Sequence, residues 1–182
     1  MLSSLFRRQP RAEREEDRVW TTNEARLRGV LAATGVRVVA HFAQTRRALQ
    51  ALARDEGRTV EVVLAHDLVS PSSPDPALTI VVAERHPLRE HDERVAAWAD
   101  SAAGRIVFHV SLEDPALALF VGESLRTILD NLGLREDTPL QSPLVSRSVA
   151  NAQAKVRKRA SGDVPSDSAA GWLQANGVGA LG

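Results

Sequence analysis

The chain has 182 residues, 23 basic and 23 acidic side chains and no cysteine. That length fits one core with flexible ends. Balanced charge gives no global field for nucleic acid or an anionic membrane, missing thiols exclude disulfides and thiolate metal sites, and no apolar run approaches the roughly 18 residues of a bilayer span.

Residues 1–17 are mostly charged after Phe6 and read as a disordered leader. Leu2, Leu5 and Phe6 beside Arg7 and Arg8 offer a small surface anchor as the alternative. The opening M-L-S-S-L-F-R-R places its basic residues after the apolar patch, the reverse of a secretory signal, so the cytoplasm is the expected compartment. Thr21 with Glu24 reads as a capping box for a helix carrying Leu27, Val30 and Leu31. Val36 to Phe42 is β-rich, Ala43 to Glu56 reads as a helix, and Thr59 to Ala65 as a second strand. The prolines of Ser70 to Pro76 predict a loop. Leu78 to Ala83 predicts a third strand, Arg89 to Ala99 a helix with Val95 and Trp98 inward, and Arg105 to Val110 a fourth strand. This alternation predicts an α/β fold, a mainly parallel sheet covered on both faces.

From Ser111 the pattern changes. Asp114 and Pro115 open a helix whose Leu117, Phe120, Leu125, Ile128, Leu129 and Leu132 recur at roughly helical spacing, and Gly133 ends it. A second helix starts near Pro143 with Val145, Val149, Ala152 and Val156 on one side. The basic run Lys155 to Arg159 reads as a solvated helix face. Residues 157–182, with S-G-D-V-P-S-D-S, read as a flexible tail in which Trp172 and Leu173 mark either a weakly ordered end or a docking motif.

S-L-E-D before a helix, then L-G-L, an acidic turn with proline and V-S-R-S-V-A-N-A-Q-A-K-V resemble the end of the second nucleotide-binding domain of SecA, the ATP-driven motor of bacterial preprotein translocation. Glu84, Arg85 and His86 match the family's E-R-H, and Arg89 and Asp92 fall where it has Arg and Asp. The resemblance implies a three-layer RecA-like (helicase C-terminal-type) domain over 18–156, with two helices appended at its C-terminal end. It also implies that ATP would bind only with a partner chain supplying the phosphate loop, because no G-x-x-x-x-G-K-[ST] occurs here.

Beyond Asp92 the resemblance fails. Ala96, Trp98 and Ser101 stand where the family carries arginines, and neither Ala nor Trp can give phosphate a bidentate cation. H-D-L-V-S-P-S-S-P-D-P replaces an expected glycine-rich turn, and its prolines remove amide donors. The expectation is a degenerate motor domain without ATPase activity, a catalytic residue or a bound cofactor. Glu84, Arg85, His86, Arg89 and Asp92 are weak remnant candidates for ligand binding, or a structural network joining strand end to helix. His86 and His91, with Pro87 between, are poorly spaced for a metal on one helix, so no metal site is expected. Ser124 lacks a nucleophile elbow. The resemblance leaves three roles open: a binding protein engaging SecA or another export component, peripherally at the membrane or free; one subunit of a split motor; and an interaction module unrelated to export.

Overall fold

The computed structural model describes residues 11–179. Its seven strands are β1 (Glu13–Arg14), β2 (Arg18–Trp20), β3 (Val36–Ala40), β4 (Val62–Leu64), β5 (Asp75–Val82), β6 (Ala103–Ser111) and β7 (Leu140–Gln141). Its helices are α1 (Asn23–Ala32), α2 (Ala43–Asp55), α3 (Arg89–Ala102), α4 (Pro115–Phe120), α5 (Gly122–Asn131), α6 (Pro143–Arg159) and α7 (Ala169–Ala175). The sheet runs β4-β3-β5-β6-β2-β7, with β1 also on β6. Every pairing is parallel except β2 with β7. This is a three-layer α/β fold, consistent with a RecA-like domain.

The period of two sorts the strand side chains. Val39, Ile80, Val82, Ile106 and Phe108 pack under α3 with Val95, Ala96, Ala99 and Ala102. Val38, Ala40, Val62, Leu64, Val81 and Val107 pack under α1 and α2. Such two-sided burial is what an apolar run of strand length encodes. Toward the β2 edge, Val19 and Val110 meet Leu117, Leu125, Leu129, Val145, Val149 and Ala152 of α4, α5 and α6.

Local signals set most boundaries. Thr22, rather than Thr21, caps α1, its hydroxyl accepting the Ala25 amide at 3.1 Å. Ser142 caps α6 ahead of Pro143, where the missing amide hydrogen costs nothing. Gly133 holds φ +88 after α5, as expected of the residue closing a helix. The single helix expected from Pro115 is two, because the backbone breaks at Val121 between α4 and α5. The proline loop is shorter than expected, since β5 begins at Asp75, which pairs with Ala103, and takes in Pro76 where the register shifts before Thr79.

Both ends depart from the sequence reading. Residues 1–10, with the proposed anchor, lie outside the described residues, but 11–17 are not a loose leader. Glu13 and Arg14 pair with Arg105 and Ile106, and Asp17 is fully buried. Residues 160–179 are not a loose tail either. They fold back as α7, and Trp172, 1% exposed, packs with Phe42, Leu88 and Val156. Asn176 closes this segment on itself: its amide accepts from Val164 N at 2.7 Å and donates to Val164 O at 3.0 Å and Trp172 O at 2.8 Å. Composition concealed this, because the pocket for Trp172 comes from residues far away in sequence.

Candidate functional site

The carboxyl ends of β3, β4, β5 and β6 lie together, the side on which open α/β sheets take ligands. Beyond β5 that side is filled by the protein's own polar groups, while beyond β3 and β4 a cavity of about 490 Å³ opens beside His41, Ala65 and His66. Glu84 follows β5 and turns inward beneath the start of α2. Its carboxylate accepts the amides of His41 (3.1 Å) and Phe42 (3.0 Å) and the Thr45 hydroxyl. Phe42 gives α2 no side-chain cap, so Glu84 satisfies the donors just before the helix. Burial raises the Glu84 carboxyl above its ordinary range, against the pull of Arg26, Thr45 and His41.

Arg85 points to the opposite side of the turn. It is clamped between Asp17 and Asp92, 3.2 Å from the latter, with its guanidinium carbon 3.6 Å from the centre of the Phe108 ring. Burial works against its charge, and the two carboxylates more than compensate, raising its pKa. Asp17 bears the larger strain: burial raises its carboxyl despite Arg85, and its Oδ2 has no partner.

Asp92 is the hub. Its Oδ1 accepts the His86 amide at 3.0 Å and lies 2.8 Å from His41 Nε2, out of line for a hydrogen bond. Its Oδ2 takes Arg85 and, at 2.7 Å, Gln153 Nε2. Burial would raise this carboxyl, but His41, Arg85 and the His86 amide outweigh it and hold it below the usual range. Gln153 also donates to the His86 carbonyl at 2.8 Å. The two segments carrying the resemblance, E-R-H and N-A-Q-A-K-V, thus meet through one side chain.

Three of the five remnant candidates, Arg85, His86 and Asp92, therefore form one network, Glu84 bonds instead the amides before α2, and Arg89 stays outside, exposed and paired with Glu93 at 2.8 Å. The sequence reading missed Asp17, His41 and Gln153. Gln153 was detectable as a polar residue beside the apolar stripe of α6; Asp17 and His41 carry no local signal. Of the positions where arginines were expected, Ala96 is buried under the sheet, Trp98 donates to Val69 O at 2.7 Å, and Ser101 folds onto the Trp98 carbonyl at 2.7 Å. The cleft beside Arg85, with Arg14, Arg89, Glu93 and Ser146 on its walls, holds about 230 Å³. That lies below the roughly 300–1,000 Å³ of small-molecule pockets.

His86 and His91 come closer than their spacing suggested: their rings stack with centroids 3.7 Å apart, and Asp163 lies alongside. The trio fits a metal poorly. His86 Nδ1 accepts the Leu88 amide at 3.0 Å, which places its proton on Nε2. His91 is engaged on both nitrogens, by Arg94 and Asp163, each at 2.8 Å. Elsewhere, Ser124 lies exposed on α5. Lys155 and Arg159 lie 5.9 and 4.8 Å from the centre of the Phe120 ring, and Lys155 also binds the Phe120 carbonyl at 3.2 Å, closing the end of α4.

No family model matches the chain. Curated proteins do. Protein translocase subunit SecA of Symbiobacterium thermophilum is 39% identical over 84 residues, 45% of this chain and 9% of that protein. About half of the chain is thus similar to part of SecA. The SecA of Dechloromonas aromatica is 42% identical over 84 residues, again 45% of this chain and 9% of that protein. The SecA of Paraburkholderia phytofirmans is 36% identical over 96 residues, 52% of this chain and 10% of its own length. The likeness to SecA thus spans about a tenth of each relative. Among the described residues no helix is long and apolar enough to cross a membrane.

Proposed function

We propose that this chain is a non-catalytic SecA-like protein that acts by binding another protein in a translocation setting, in the cytoplasm or peripherally at the membrane. The observation that carries the reading is the fate of Arg85. A cation that stabilises a transferring phosphoryl group must face the cleft with its donors free. Arg85 gives its two terminal nitrogens to Asp92 and Asp17, and withdrawing it would strand two buried carboxylates. Glu84 adds a second obstacle: a carboxylate already occupies the amides before α2, the donors an anion would need. The 182 residues hold no phosphate loop to offset these losses.

The partner most in keeping with the resemblance is SecA itself, at its first motor domain, or another export component. Calorimetry of the full chain against its host's full-length SecA, with and without ATP, tests this. Saturable binding that changes with nucleotide is the expected result. No heat at tens of micromolar in either state would sink it and leave the reading of a fold reused outside export. The split-motor reading predicts magnesium-dependent ATP turnover when a chain bearing a phosphate loop is added. The spent donors of Arg85 weigh against it.

A further inference from the structure

The cavity of about 490 Å³ beyond the ends of β3 and β4 falls within the roughly 300–1,000 Å³ of small-molecule pockets. Residues of the segment 160–179 form one of its walls, fixed to α2 where the Asp167 carbonyl accepts the Gln44 amide at 2.9 Å. Phe42, Ala65, Pro165 and Trp172 give it an apolar lining.

Two polar groups in the turn from β3 into α2 are left over. His41 lines the cavity with its side chain only 2% exposed, yet neither ring nitrogen makes a hydrogen bond among the described residues. Nε2 is enclosed and lies 2.8 Å from Asp92 Oδ1, so it carries the ring proton. Nδ1 is then a free acceptor, and it is not enclosed as Nε2 is. Two residues on, Ala43 also lines the cavity and opens α2, where its amide has no acceptor within the helix and Phe42 supplies no side-chain cap. Glu84 takes the amides of His41 and Phe42 and leaves this one. The charged groups on the walls, by contrast, are already matched. Arg94 donates to His91, Asp163 accepts from His91 and Trp172, Asp167 pairs with Arg47, and His66 with Asp67. A charged ligand would have to break one of these pairs, and a phosphate would also face the carboxylates of Asp163 and Asp167. A neutral ligand does neither.

We propose that this cavity binds a small uncharged carboxamide. The amide nitrogen donates to His41 Nδ1, the amide oxygen accepts from the Ala43 N–H, and the body of the ligand lies against Phe42, Ala65 and Trp172. A carboxamide offers one donor and one acceptor side by side without charge, which matches a free acceptor and a free donor two residues apart. Binding satisfies a buried acceptor that the chain itself leaves unmatched. The site is separate from protein binding and stands whether or not a protein partner is found.

Benzamide is the probe, titrated into the full ¹⁵N-labelled chain at pH 7.5. The Ala43 amide and His41 Nδ1 signals should shift together and saturably, with a Kd on the order of millimolar. Benzoate and benzylamine, similar in size but charged, should bind at least tenfold more weakly, and so should AMP. His41→Phe keeps an aromatic ring, removes the acceptor and should weaken benzamide at least tenfold. Ala65→Leu fills the space without touching the polar pair and should abolish binding. No saturable shift up to tens of millimolar benzamide, a preference for benzoate, benzylamine or AMP, or binding unchanged in either variant would overturn the proposal. Should His41→Phe lose the indole signal of Trp20, which bonds His109 in the core, Ala65→Leu alone decides, and undiminished binding there overturns it equally.

Discussion

Two polar clusters meet at His86 and are built to opposite ends. The Arg85 network lies inside the domain: Asp17 and Asp92 are buried, and strand, helix and sheet edge all contribute to it. The contacts of residues 160–179 lie at the rim, where Asp163 and Asp167 are exposed. A buried ion pair gives little net stability when made and is costly when broken, because removing one partner strands the other. A rim contact is screened, and its loss is local. The first cluster therefore fixes the fold around the carboxyl end of the sheet, and the second holds a segment whose contacts are separate from the sheet's core.

Breaking the inner cluster should have the largest effect. Arg85→Ala leaves two buried carboxylates and should cost about 3–5 kcal/mol of global stability in denaturant unfolding. Trp172→Ala removes a comparable amount of packing, about 3–5 kcal/mol by the usual scale for large aromatics. Its effect should be confined: hydrogen exchange should show residues 160–179 unprotected while β3, β5 and β6 keep their protection. Glu84→Gln keeps an acceptor for the His41 and Phe42 amides but turns an amide donor toward the Thr45 hydroxyl, and should cost about 1–3 kcal/mol, again globally.

Acid should weaken the fold further. His86 and His109, each pushed down to about 3 mainly by burial, are neutral in the fold and charge more readily when released. Their contribution is whole above pH 6.5 and declines toward pH 3 at up to about 1.4 kcal/mol per unit each. His86 sits beneath Trp172 and His109 in the core with Trp20, and both shares should appear in global unfolding. Asp92 is lowered, so its support is present above 3.8 and lost only below it. At the small end, Ser124→Ala on the surface of α5 should change midpoint stability by no more than about 0.5 kcal/mol.

The sheet was legible because its central strands are apolar runs of strand length, and α6 because Pro143 and the Val145, Val149, Ala152 and Val156 stripe mark its start and face. β1 and β2 were harder to see: two and three residues are too few for a period, and their place along β6 is set by register with Glu13 opposite Arg105 and Val19 opposite Val110. The candidate cluster was half legible. E-R-H and Asp92 stood out, but their meaning depends on Asp17, 68 residues from Arg85 along the chain, and on Gln153, 61 from Asp92. The segment 160–179 was misread because glycine, serine and aspartate favour loops, while what orders them is a distant pocket for Trp172 and the internal bonds of Asn176.

The central claim is that Arg85 is a structural cation and that the chain turns over no nucleotide. Magnesium-dependent ATP hydrolysis by the purified full chain, beside the Arg85→Ala and Arg89→Ala chains, tests it most directly. The account predicts release of phosphate no faster than the protein-free control for the wild-type chain, with the Arg85 substitution visible only as lost stability. Turnover clearly above that control, abolished in either variant while the fold persists, would contradict it.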